Sequence, residues 1–466
     1  MDPTPETPPA PQPGIPLLPW ALAAAAVPAL LAVLQLGRLH PDEVYQALEP
    51  AWFRAHGYGI LAWEWQQGLR NWALPGFLGW LLKGCAAVGI DNPRVYRAVL
   101  EIPQYLLHAW SLVAVYRFLQ RRAAPGAPLL PALLAVAFYG PVVAFAGRTM
   151  SESLSTSFLL IAFEALERDK NLRRAGLLGG GALGMAVVLR YGSAVMVLSA
   201  LVWLVFRRRW QTLYYAVFGG AFIAACLGLL DLWTWGSLFH SFRAYVEFNV
   251  LSGRAAQQFG QEPFWYYLPF LAGQFPVWGW IALPAALLKP GARLSAPLFA
   301  AGTYLVAISL TGHKEPRFLY PALVLLTLVA AAGLPRLIER IPTKLRPLFV
   351  ALALAAGFFP FAFQGVSNGV RGDQFRAIVR ATRAKEATGL LIVGDGIWGA
   401  GGYFYIGKKI PWTVADWPQD GAYRAAMAQR QFNRVVTYDG RALEDLQSHG
   451  FRVVDQIGRA TVLVRN

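Results

Sequence analysis

The stretch His40-Pro41-Asp42-Glu43-Val44-Tyr45-Gln46-Ala47-Leu48-Glu49 follows at once on the first long apolar run of the chain. It sets three carboxylates and an imidazole at the mouth of what reads as a membrane span. Ionisable groups at that depth are costly to desolvate and are kept for a purpose. Pro41 and Asp42 also suit the first turn of an interfacial helix, where a carboxylate faces the positive end of the helix dipole. A carboxylate within reach of a sugar hydroxyl can take its proton, which makes Asp42 the candidate general base. Glu43 stands beside it, and Glu49 lies about two helical turns further on.

The composition around that stretch is that of a membrane protein. The chain of 466 residues is 56% hydrophobic and 15% charged, against about 25% charged in a soluble domain. Apolar stretches of about 17 to 22 residues recur from Gly14 to Phe363, long enough to cross a hydrocarbon core. About eleven spans are expected, at 15–36, 98–117, 128–147, 151–166, 175–190, 192–206, 211–230, 266–288, 296–311, 318–334 and 347–363. The run 74–90 carries Lys83 and is short, which favours a re-entrant or interfacial helix. Trp52, Trp63, Trp65, Trp72 and Trp80 suit helices lying in the interface plane. Residues 1–14 read as a Pro-rich disordered tail, and Cys85 and Cys226 as small core residues rather than a disulfide or a zinc site.

Loop charge orients the chain. The basic clusters at 117–122, 168–174, 207–209, 289–293 and 336–346 fall on one side, which the positive-inside rule makes cytoplasmic. The net charge of +16 is therefore a report of topology and anionic lipid, and nucleic acid is not an expected partner. The other side receives 40–97, 147–153, 231–265, the turn 313–317 and the tail after 364, so the chemistry collects on one face. Residues 15–363 are read as a transmembrane catalytic domain and 364–466 as a small external α/β domain. In the latter, an amphipathic helix is expected at 372–385 and strands at 390–393, 434–438, 451–454 and 461–464, with 401–405 also strand-like.

Two further clusters matter. Thr311-Gly312-His313-Lys314-Glu315-Pro316-Arg317-Phe318 places three potential cations on the face where positive charge is otherwise sparse. Arg317 can bind phosphate oxygens in a fork and Lys314 as a point charge. Arg148 and Glu152 lie in another external turn, suited to pairing with the first loop or to touching substrate. Aromatic residues at Trp265 and Tyr266 suit either sugar stacking or a membrane belt. The match to G-x-G-x-x-G at 394–399 is followed by no helix signal and is not read as a dinucleotide site. Gly179–Gly181 and Gly184 read as close helix packing.

Together these residues resemble the family 22 glycosyltransferases of the GT-C superfamily, which contains the mannosyltransferases of GPI-anchor and N-glycan precursor assembly. The resemblance is carried by His40-Pro41-Asp42-Glu43 with Gln46 and Glu49, by Trp63-Glu64-Trp65 with Arg70 and Pro75, and by Arg148-Thr149-Met150-Ser151-Glu152-Ser153. It continues through Asp231, Asn249, Pro263 and Trp265-Tyr266-Tyr267 to His313-Lys314-Glu315 with Arg317-Phe318. It implies a GT-C-type helical bundle that transfers mannose from a polyprenyl-phosphate donor to a hydroxyl of a glycolipid acceptor, with inversion. Asp42 would be the base and Glu43 its orienting neighbour. His40, Gln46, Glu49, Glu64, Arg148, His313, Lys314, Glu315, Arg317, Trp265 and Tyr266 would bind substrate, with no cofactor and no metal. Transfer of another sugar is the nearest alternative. A lipid or sugar transporter would want charges at mid-span and matching halves. The basic, Ala- and Gly-rich composition suits a bacterial inner-membrane protein with a periplasmic site, the equivalent in a eukaryote being the lumen of the endoplasmic reticulum.

Overall fold

The computed structural model describes residues 17–288, 295–367, 371–418, 420–428 and 431–465, with backbone alone over 359–367. The expected tail 1–14 and the loop cations Lys289 and Arg293 lie outside the described residues. The molecule is mainly a helical bundle, with a five-stranded sheet near its C-terminal end.

Among the described residues, five helices are long and apolar enough to cross a membrane: Leu17–Gln35, Pro93–Gln120, Leu172–Leu189, Trp210–Trp235 and Pro316–Glu339. Phe264–Gln274 and Val277–Leu287 form a sixth candidate, bent by 100°. The expected span 347–363 lies within the 22-residue helix Arg346–Ser367, and the remaining expected spans are shorter or interrupted. The run 74–90, read as re-entrant or interfacial and not as a span, forms the helix Ala73–Ala87 of 15 residues, fewer than the about 20 that a span needs. The run 128–147 divides into Leu129–Ala137 and Gly140–Phe145, because Pro141 lacks the N–H that would continue a helix and instead starts one. Hydropathy counted apolar runs, and breaks at proline set how many are continuous.

Burial separates centre from periphery. The apolar window of Pro316–Glu339 is 83% buried and that of Trp210–Trp235 only 22%, so the first is the inner helix and the second faces lipid. Cys226 is exposed on the second, contrary to the expectation of a core residue, while Cys85 is buried. The glycines of Leu172–Leu189 pack as expected: a Cβ at Gly180 would strike the Ala216 backbone and one at Gly179 the Leu166 side chain.

The sheet orders its strands β2-β1-β3-β5-β4, with β1 Leu390–Val393, β2 Trp412–Ala415, β3 Arg434–Thr437, β4 Arg452–Ile457 and β5 Ala460–Val464. β1 is parallel to β2 and β3, and β5 runs antiparallel to β3 and β4. The strand expected at 401–405 is instead a helix, Gly402–Ile406, and the strand lies later, at β2. Gly401 and Gly402 both have left-handed backbone, with φ of 78° and 66°, which turns the chain into a helix start that a strand pattern cannot anticipate.

This domain does not stand apart from the loop that follows the first span. Leu48, Trp52, Trp65 and Trp72 share one hydrophobic core with Phe375, Ile392, Phe404 and Val462. Trp52, Trp65 and Trp72 are accordingly buried, at 3%, 2% and 8% exposed, rather than lying in a membrane interface; Trp80, at 69%, remains exposed. The interfacial reading failed for the three because the partner that covers them comes some 300 residues later in the chain.

Candidate active site

Asp42 leads into a wide helical turn, Glu43–Leu48, with π-type hydrogen bonding, and an ordinary helix, Glu49–His56, continues from it. Single π turns carry an extra residue and recur at functional sites. The Asp42 carboxylate receives the Arg317 guanidinium at 2.7 Å on one oxygen and meets His40 Nδ1 at 3.2 Å on the other. Arg317 comes from the turn that opens the inner helix, and the same guanidinium donates to both oxygens of Glu315, at 2.7 and 3.0 Å. His40 Nε2 lies 3.5 Å from Glu315, and His313 Nε2 lies 3.2 Å from it. Glu152 stands 3.6 Å from both Arg317 and Arg190. The first loop and the last turn, some 270 residues apart, thus close into a single charge network.

Burial works against ionisation of Asp42, yet Arg317 and His40 hold its carboxyl far below the usual carboxylate range. Burial opposes the charge on Glu315 too, and His313 and Arg317 lower it to about 2. Both acids stay anionic at neutral pH, and Asp42 is a weak base while Arg317 stays on it.

Two cavities meet at this network. One, of about 220 Å³, is walled by Pro141, Phe145, Met150, Tyr320 and Leu323, with His40, Glu315 and Arg317 at its polar end. The other, of about 50 Å³, is lined by Asp42, Gln46, Trp65, Arg70, Asn71 and Tyr191. Asp42 opens on the polar cavity and its partner Arg317 on the apolar one.

Arg70, Asn71 and Tyr191 were not singled out from the sequence as site residues, and their placement is elaborate. Glu64 holds Arg70 at 2.6 Å, while Trp235 Nε1 donates to the Arg70 carbonyl at 3.1 Å. Asn71 donates to the Tyr191 hydroxyl at 2.9 Å, Tyr191 bonds Ser241, and the Ser241 hydroxyl donates to Asp231 at 2.6 Å. Glu64 therefore acts through Arg70. The sequence signal was the place of Arg70 beside Glu64 in the motif that carries the family resemblance; Asn71 and Tyr191 had no comparable signal.

Other expected site residues are placed elsewhere. Glu43 is fully buried, 3.5 Å from Arg97 and accepting the Leu39 N–H at 3.2 Å. It braces the turn before Asp42 and does not line either cavity. Arg148, 2% exposed, donates to the Gly37 carbonyl at 2.9 Å and to Gln35 at 2.5 Å, so it pins the end of the first span. Lys314 donates to the backbone carbonyls of Glu262, at 2.7 Å, and Thr311, and so fastens its turn. Glu49 is buried and accepts the N–H groups of Ile60, Tyr403 and Phe404 at 2.9, 3.1 and 2.8 Å. Burial pushes its carboxyl up to about 7 against those three donors. It caps the helix Gly402–Ile406 rather than facing substrate. Trp265 is 65% exposed, Tyr266 packs on Tyr267 and Phe270, and neither lines the two cavities.

Comparison with known proteins follows the same outline. The chain is 32% identical over 345 residues to GPI mannosyltransferase 3 of Yarrowia lipolytica, covering 68% of this chain and 63% of that one. It is 28% identical to the alpha-1,2-mannosyltransferase alg9 of Schizosaccharomyces pombe, covering 63% of this chain and 54% of that one. The chain thus spans somewhat over half the length of these relatives, which are eukaryotic. ArnT from Cupriavidus metallidurans, in the apo state, superposes with a TM-score of 0.58 at 15% identity, over 96% of this chain and 97% of that one, and shows a shared GT-C fold. The Alg9-like mannosyltransferase family matches residues 20–385, which take in the first loop, the inner helix and the whole Asp42–Arg317 network. The chain belongs to that family.

Proposed function

We propose that the protein transfers mannose from a polyprenyl-phosphate donor to a hydroxyl of a glycolipid acceptor, with inversion at the anomeric carbon and Asp42 as the base. The observation that carries this reading is the pair of cavities joined at the Asp42–Arg317 contact. An apolar cavity ending in Arg317 and His40 suits a lipid-borne phosphate, whose charge a guanidinium fork receives well. A polar cavity with a carboxylate at its mouth and amide, indole and guanidinium groups around it suits a sugar and its hydroxyl. The bond from acceptor oxygen to anomeric carbon forms as the bond to phosphate oxygen breaks. The hydroxyl proton passes to Asp42, and the charge left on phosphate is stabilised by Arg317 and His40. Phosphate leaves without a proton donor.

The family name supports mannose, and a structure of ArnT bound to undecaprenyl phosphate supports a lipid phosphate donor in this fold. Loop charge supports a site on the non-cytoplasmic side, the periplasm of a bacterium or the lumen of the endoplasmic reticulum. The test is transfer of radiolabelled mannose from polyprenyl-phosphate-mannose to native lipid extract by the purified full chain. Label is expected in a lipid product with wild type and not with Asp42→Asn. Equal transfer by both would remove Asp42 as base. Transfer of label only from a donor carrying another sugar would overturn mannose.

A further inference from the structure

The cation least provided for lies outside both cavities. Arg38, three residues past the end of the first span at Gln35, is 8% exposed. Its guanidinium makes no hydrogen bond or ion pair with any described residue, and its Nε is sealed from solvent without a partner. A buried, unpaired charge is strongly disfavoured unless an opposite charge reaches it. The nearby carboxylates belong to others. Asp395 is taken by Arg371 at 2.5 Å and by Gln374, and Glu43 faces Arg97 at 3.5 Å. Arg371 is itself an electrostatic neighbour of Arg38, and Asp395, the carboxylate that influences Arg38 most, is bonded to Arg371 instead.

We infer that Arg38, with Arg371, forms a second anion site between the first external loop and the C-terminal domain, and that it takes the phosphate ester of a membrane lipid headgroup. The lipid source is argued from what lies beside the site. The Tyr45 hydroxyl, on the catalytic turn, donates to the Ile397 carbonyl, and its ring meets Trp398 edge-on at 5.1 Å. Trp398 is 46% exposed and Ile397 38%. An indole and an aliphatic side chain exposed two and three residues beyond Asp395, the carboxylate paired with Arg371, match a headgroup position, with phosphate on the guanidinium groups and carbon chains along the rim. A free phosphate would make no use of that apolar rim.

The experiment counts bound lipid by native mass spectrometry and measures affinity by calorimetry on the full chain in neutral detergent, using dihexanoyl phosphatidate and inorganic phosphate as probes. Wild type is expected to bind phosphatidate saturably. Arg38→Gln is expected to lose one bound lipid and Arg371→Gln to weaken that site by about tenfold. Inorganic phosphate is expected to compete only at far higher concentration. A donor site at Arg317 would add a second bound lipid that Arg317→Gln removes, so failure of that reading leaves one lipid, still sensitive to Arg38. Unchanged stoichiometry and affinity in Arg38→Gln would overturn the inference. Should that variant not fold, Arg371→Gln decides, since Arg371 is half-exposed, and unchanged binding there is equally fatal. Inorganic phosphate binding as tightly as phosphatidate would overturn the lipid assignment.

Discussion

Arg317 and Asp42 are 2.7 Å apart, closer than either stands to Glu152 or His40 respectively. The proposed base is held by the same cation that the proposed donor phosphate would use, so the two roles would exclude each other in time. Donor phosphate drawing Arg317 toward the apolar cavity would release Asp42 to take a proton. Initial-rate patterns are therefore expected to show ordered binding, donor before acceptor, and product phosphate-lipid should compete with donor. Random-order kinetics would contradict this linkage.

Replacement of Arg317 separates charge from fork. Arg317→Lys keeps a cation but loses the two-pronged contact with Glu315 and the reach to Asp42, and a fall in kcat of about 100-fold is expected. Arg317→Gln leaves Asp42, Glu152 and Glu315 facing one another, and should also cost about 3 kcal/mol or more of stability. Thermal unfolding in nanodiscs beside single-turnover rates distinguishes the two effects.

Glu49→Ala tests the joint between the loop and the C-terminal domain. It strands the buried N–H of Phe404 and the half-buried N–H groups of Ile60 and Tyr403, with an expected loss of about 2 kcal/mol or more. Protease cleavage after residue 385 should become faster in the variant, while lipid-donor affinity is expected to stay near that of wild type.

Glu315 sets an acid-side limit. Its carboxyl is lowered from 4.5 to about 2 in the folded protein. Its stabilising contribution is thus complete above about pH 4.5 and is lost as pH falls from there toward pH 2. Melting temperature between about pH 5 and pH 3 should fall less steeply in Glu315→Gln than in wild type. An identical slope would remove Glu315 as the source.

Much of this was legible in the sequence because local chemistry carried it. Asp42 beside His40, and Arg317 beside Glu315, are close in the chain, and charge at the edge of an apolar run is conspicuous. β1 and β3 came out within a residue because short apolar runs bounded by glycine and polar turns have few other uses. What escaped depended on distant partners. Nothing near Trp52 or Trp65 tells that a later sheet covers them, and nothing near Glu49 tells that it caps a helix beginning at Gly402. Lys314 looked like a phosphate ligand because a sequence displays a charge and not the backbone carbonyls that occupy it.

The core shared between 36–100 and 375–462 has a consequence for how the protein is made. The loop bearing Asp42 leaves the ribosome hundreds of residues before the strands that cover its tryptophans, and the chain crosses the bilayer repeatedly in between. The loop must wait, with apolar rings uncovered, until residues 375–462 have been made and packed against it. The loop that bears Asp42 is thus fastened late in synthesis, and chains that have not yet reached residues 375–462 display apolar rings that invite quality control.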